Sequence, residues 1–163
     1  MVTLRSSLHL VTDVRNLDES VYEVFATMLG VSPGNEPEGR CLSLGNAESV
    51  TAVVGFGGIL TGACVFRCDA LGARQIAGHM TGTDFPTVDE VVKDGIGEIC
   101  NMLAGTWKSK VPDLAANCGL SVPAVITGSD YKLHVQSPEF RISRGYGFED
   151  VRFEMTIVCD GLL

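Results

Sequence analysis

Residues 87–110 read TVDEVVKDGIGEICNMLAGTWKSK. The apolar residues Val88, Val92, Ile96, Ile99, Leu103 and Trp107 recur at steps of three and four, the spacing of one buried helix stripe. The stretch opens on Thr87-Val-Asp-Glu90, the pattern of a capping box with a hydroxyl at the N-cap and a carboxylate three residues on. Pro112 lies just past its end, where helices stop. At about 100° per residue, Asp94, Glu98, Asn101 and Gly105 fall opposite the stripe. The helix is therefore expected to bury one face and to display a carboxylate and a carboxamide, one turn apart, on the other.

That outward row is costly as helix design. Gly95 and Gly97 each cost about 0.8–1 kcal/mol relative to alanine. Asp94 and Glu98 are like charges four residues apart, a repulsion of a few tenths of a kcal/mol. Close approach of the helix to a sheet accounts for glycine in part, although neither glycine sits at the centre of the stripe.

Around this helix, the 163-residue chain is long enough to bury a core and reads as a single domain over 1–163. No apolar run reaches membrane-spanning length, and the first residues, MVTLRSSLHLVTDVRN, carry no long apolar segment of a signal peptide. A cytoplasmic protein is expected. The net charge of −8, with no basic cluster, argues against a nucleic-acid or anionic-membrane surface and leaves a protein or cationic partner open. The six cysteines include no C-x-x-C pair and have no histidine at ligand spacing, so no metal site is expected. Reduced, buried thiols are the expectation.

Residues 13–30 read as a first helix, with Val14, Leu17, Val21, Val24, Phe25 and Met28 inward and Gly30 as its stop. A loop rich in proline and glycine follows, then a short strand at 41–44 and strands at 51–56 and 63–66 around Gly57-Gly58. The glycines there lack the ending of a phosphate-binding loop. A second helix is expected over 69–80 with Leu71, Ile76, Ala77 and Met80 inward. Beyond the main helix, strands are expected at 120–127, with Pro123 at its start, at 131–135 and at 151–158, with 137–150 irregular. This order describes an α+β domain, long helices packed on a largely antiparallel sheet. It also suggests an internal pseudo-repeat, each half opening on a long helix. The first helix carries Glu19 and Glu23, but three residues on from these stand Tyr22 and Ala26, so only the second half has a carboxylate–carboxamide pair.

The sequence offers no nucleophile elbow, no Ser/His/Asp arrangement and no paired histidines for a metal. Cys100 points to the buried side, and His79 and His134 read as surface or packed residues. By spacing alone, Glu98 and Asn101 are a weak signal, since exposed acid and amide residues are common on ordinary solvated helix faces. The segment Asp94-Gly-Ile-Gly-Glu98-Ile-Cys-Asn101-Met-Leu-Ala-Gly105, followed by Pro123 before a strand, resembles the D/S-x-x-x-E-x-x-N…P signature of the CheC/CheX/FliY chemotaxis phosphatases. VYEVFATMLG at 21–30 is similar to the first long helix of the CheX branch, and GGILTG at 57–62 to its glycine-marked hairpin. A single E-x-x-N copy resembles CheX rather than CheC.

The resemblance implies a CheC/CheX-like fold and a phosphatase acting on the phospho-aspartate of a CheY-like response-regulator receiver domain. Asn101 would place the attacking water, as a glutamine does in some GTPases, and Glu98 would pair with a receiver lysine. Asp94, Gly97 and Gly105 would serve receiver docking, the glycines by keeping the helix surface low. Mg²⁺ would come with the receiver, the chain having no cofactor of its own. The family also implies a homodimer formed through the sheets, for which the strand at 151–158 offers a pairing edge. The alternative is a CheX-like adaptor that binds a receiver or another signalling protein without hydrolysis.

Overall fold

The computed structural model describes residues 4–37, 47–129, 131, 134 and 138–163. After a 3-10 turn at Arg5–Ser7 and a short helix α1 (Leu8–Val11), the chain enters helix α2 (Val14–Leu29). Asp13 caps α2 by accepting from Arg15 N–H, and Gly30 ends it at φ 69°, a left-handed position that suits glycine. A short strand β1 (Gly34–Asn35) leads to the long hairpin β2 (Ser49–Gly58) and β3 (Leu60–Asp69). Asp69 then caps α3 (Ala70–Thr81). Helix α4 (Glu90–Ser109) and the single-turn α5 (Pro112–Asn117) precede strands β4 (Cys118–Leu120), β5 (Ala124–Gly128), β6 (Phe140–Phe148) and β7 (Val151–Leu162).

These strands form one seven-stranded sheet in the order β1-β6-β7-β3-β2-β4, with β5 also on β2, and all the pairings among the described residues are antiparallel. Alternation puts Ala52, Val54, Phe66, Phe153, Met155 and Ile157 on one face, where they are buried. Helices α2, α3 and α4 cover that face. Phe25 of α2 stacks on Phe153 with ring centroids 4.6 Å apart, and Trp107 of α4 lies 5.4 Å from Phe56. The α+β expectation holds. Among the described residues, no helix is long and apolar enough to cross a membrane.

The strand order also carries a pseudo-two-fold. One half contributes α2, β1, β2 and β3; the other contributes α4, β4 with β5, β6 and β7. Exchanging the halves reverses the strand order onto itself, with β3 and β7 paired at the centre. Each half lends its first short strand to the other's outer strand: β1 pairs with β6, and β4 and β5 pair with β2. Helix α3 bridges the two halves.

Several expectations change. Asp89, not Thr87, caps α4: its carboxylate accepts from Val92 N–H at 2.9 Å, so the helix starts at Glu90 and the Thr87 capping box does not form. An aspartate at the N-cap satisfies one of the first-turn N–H groups just as a threonine would, here that of Val92. Leu71 is 51% exposed rather than inward. The strand expected over 120–127 is broken into β4 and β5 at Ser121–Pro123, where proline cannot donate to the ladder. Residues 140–148, expected to be irregular, form β6. Its alternation was masked because Arg144 occupies a core-facing position, where it meets Asp18 Oδ1 at 3.1 Å; Tyr146 OH donates to the same oxygen at 2.7 Å. The last strand runs to Leu162 and lies between β3 and β6, so both its edges are taken and it cannot pair with another chain. Tyr131 and His134 belong to no strand; the other residues of 132–135, and the strand expected at 41–44, lie outside the described residues.

Candidate functional site

Helix α4 is fixed from below and from both sides. Val92, Ile96, Ile99, Cys100, Leu103, Ala104 and Trp107 are buried. The Cys100 thiol reaches the Ala52 and Cys64 carbonyls at 3.5 Å, tying the helix to the two central hairpin strands. At Gly95, an added Cβ would lie 3.6 Å from Met80 Sδ and 3.9 Å from Ala77 Cβ of α3. At Gly97 it would lie 3.4 Å from both Pro123 Cβ and Val125 Cγ2. At both positions a Cβ would make ordinary van der Waals contact with side chains of the same chain. Gly97 is buried beneath Pro123 and Val125 rather than on a surface open to a partner. That reverses the docking expectation for Gly97: the contact is with a β5 that the sequence reading had not placed beside it.

The opposite face is open. Asp94 and Glu98 are exposed, and Asn101 and Gly105 are half-buried. Among the described residues, no hydrogen bond or ion pair engages Asp94, Glu98 or Asn101. Gly105 has only Leu120 Cδ1 near its Cβ position, at 3.8 Å, so the ridge is low there. The structure therefore presents Asp94, Glu98, Asn101 and Gly105 along one accessible ridge and withdraws Gly97.

Sequence reasoning missed the brace beside the ridge. Ser121 N–H donates to Gly55 O at 2.9 Å, and Gly55 N–H donates to Ser121 Oγ at 2.8 Å. This clamp holds the Ser121–Pro123 break against β2 and sets Pro123 on Gly97. Pro123 was the available signal, but it identifies a brace only once Gly97 is known to lie beneath it.

The described cysteines offer no competing chemistry. Cys64, Cys68, Cys100, Cys118 and Cys159 are free and buried; Cys41 lies outside the described residues. Hydrogen bonding with Cys100 and burial hold the Cys64 thiol well above its usual range, and burial lifts Cys68. Thiols held protonated are poor nucleophiles. Among the described residues, no three His, Cys, Asp or Glu side chains gather as metal ligands.

Residues 50–143 match the family described as Chemotaxis phosphatase CheX. The chain belongs to this family. The matched span runs from β2 into β6 and contains the whole of α4. The CheY-P phosphatase CheX of Thermotoga maritima is 27% identical over 121 residues, 74% of this chain and 78% of that protein. Chemotaxis protein CheX from Vibrio vulnificus superposes with a TM-score of 0.73 at 20% identity, covering 89% of this chain and 97% of that one. CheX in the CheX–CheY–BeF3–Mg²⁺ complex from Borrelia burgdorferi gives 0.69 at 19% identity, covering 91% and 98%. These likenesses establish the CheC/CheX-like fold.

Proposed function

We propose that this protein is a protein-aspartyl-phosphate phosphatase that hydrolyses the phospho-aspartate of a CheY-like receiver domain. The observation that carries the reading is the Glu98–Asn101 pair, Glu98 exposed and Asn101 half-buried, with neither side chain partnered among the described residues, on a helix packed against the sheet in a chain of the CheX family. The Thermotoga relative is a CheY-P phosphatase, and the Borrelia structure joins CheX to CheY with BeF3 and Mg²⁺, which supports a receiver as partner.

The chemistry asks little of this chain. An acyl phosphate is already activated: water attacks phosphorus, the bond from phosphorus to the aspartyl oxygen breaks, and phosphate and a free carboxylate leave. Mg²⁺, which comes with the receiver, neutralises charge on the phosphoryl oxygens. What remains is to hold one water in line with phosphorus. The Asn101 carboxamide both donates and accepts, and carries no charge to repel a phosphoryl group. Glu98, one turn away, would pair with a lysine beside the receiver's phosphorylation site and so fix the docking register. Asp94 extends the acidic ridge, and Gly105 leaves it low.

The single-domain reading and the homodimer belong to the same proposal. A second copy would add at a sheet edge, β1 or β4 with β5, because β7 is enclosed. Light scattering on the eluting protein checks the dimer: a mass of one chain at micromolar concentration removes it.

The deciding assay is the lifetime of a phosphorylated receiver with and without the protein. Faster decay that is lost in Asn101→Ala supports the reading. Receiver binding with an unchanged lifetime replaces it with the adaptor.

A further inference from the structure

The sheet's other face carries a cavity of about 390 Å³, within the ~300–1,000 Å³ common for small-ligand sites. The strand registers build it. Thr51, Arg67 and Glu154 stand side by side across β2, β3 and β7; the next row is Val53, Val65 and Thr156; beyond it lie Ala63, Val158 and Arg141. Tyr131 forms a wall, its hydroxyl hydrogen-bonded to Thr51 Oγ1 and its ring 5.9 Å from the Arg67 guanidinium carbon. His134 also lines the cavity.

Two features point to a ligand. Among the described residues, Arg67 Nε is buried with no hydrogen-bond partner, an unsatisfied donor beside the cavity. Neighbouring Glu154 does not form an ion pair with it among the described residues. Among the described residues, the lining also runs against the sign of the whole molecule: Arg67, Arg141 and His134 stand with one carboxylate, Glu154, in a chain of net charge −8. An apolar floor of Val53, Val65 and Val158 between such groups suits a flat ring bearing an anionic group.

We propose that this cavity binds a small heteroaromatic anion of about nucleoside-monophosphate size. The ring would lie on the valine floor, the anionic group would take the Arg67 donors with Arg141 at the rim, and Glu154 would accept from a ring amine. The cavity lies across the sheet from α4, and its ligand is independent of the receiver reading.

Calorimetry on the full chain tests it, with AMP as probe and adenosine and inorganic phosphate as controls. AMP is expected to bind at least about 10-fold more tightly than either control, because it alone joins ring and anion. Arg67→Ala is expected to weaken AMP at least about 10-fold, and Arg67→Lys about three-fold, since lysine keeps the charge but loses the fork. Phospho-receiver decay should be unchanged in both variants, which separates this site from the α4 ridge. AMP binding no tighter than phosphate alone, or unaffected by either Arg67 substitution in folded protein, overturns the proposal. So does a dimer in which a second copy covers the cavity and AMP does not bind.

Discussion

Helices α2 and α4 hold equivalent places in the two halves of the sheet and bury matching stripes: Leu17, Val21 and Val24 in one, Val92, Ile96 and Ile99 in the other. In that register Glu23 matches Glu98, Glu19 matches Asp94, Ala26 matches Asn101, and Gly30 matches Gly105. The outward faces then diverge. On α2, Lys110 Nζ meets Glu23 Oε1 at 3.0 Å and Glu19 Oε2 at 3.8 Å, so both acids are answered within the chain. On α4, the matching acids have no such partner among the described residues, and a carboxamide stands where α2 has a methyl. The helix scaffold alone therefore confers no chemistry. What marks α4 is an unanswered acid next to a neutral group that can orient water.

The largest effect expected from this contrast is at Asn101. Its replacement by alanine should slow hydrolysis of a phosphorylated receiver by about 10²-fold, with binding nearly kept. Single-turnover decay against receiver concentration separates the two quantities. Next is Glu98→Ala, expected to raise KM about 10-fold, while Glu23→Ala on the matching helix should change neither kcat nor KM by more than about two-fold. Equal losses from the two glutamates would break the comparison. Ala26→Asn placed in the Asn101→Ala protein is expected to restore nothing, since Lys110 still holds Glu23; recovered turnover there would show α2 to be as competent as α4.

Smaller effects sharpen the structural side. Gly97→Leu should destabilise by about 1–3 kcal/mol, because its side chain must enter the space held by Pro123 and Val125. Gly97→Ala should be close to neutral, its Cβ making ordinary contacts while helix propensity improves. Chemical denaturation measures both. Tyr146→Phe should cost about 1 kcal/mol at neutral pH through the lost hydrogen bond to Asp18. Burial, and then that bond, raise the Tyr146 phenol above its ordinary value. Its contribution is therefore complete below about pH 10 and declines as pH climbs beyond it. Wild type should lose stability in alkali more steeply than the phenylalanine variant.

The periodic parts of this architecture were legible in the sequence. Helices α2 and α4 follow from apolar spacing, and the β2–β3 hairpin from alternation around glycines. The ridge of Asp94, Glu98, Asn101 and Gly105 follows from helical angle alone. What the sequence hid lay in contacts between distant segments. Strand β6 was obscured because Arg144 faces inward, tolerable only with Asp18 of α2 opposite it. The enclosure of β7 depends on pairing on both sides, which no local pattern encodes. Gly97 was misassigned because its neighbours, Pro123 in the break before β5 and Val125 in β5, are brought beside it only by the pairing of β5 with β2.

The exchange of short strands has a consequence for how such a chain diversifies. Because β1 completes the second half and β4 with β5 complete the first, the polypeptide holds within itself the geometry of an isologous dimer. In a true dimer every substitution appears twice, and a change that suits catalysis must also suit the symmetric copy. Joining both copies in one chain removes that constraint. One half is free to keep an exposed acid with no partner among the described residues, while the matching acids of its twin are neutralised by Lys110.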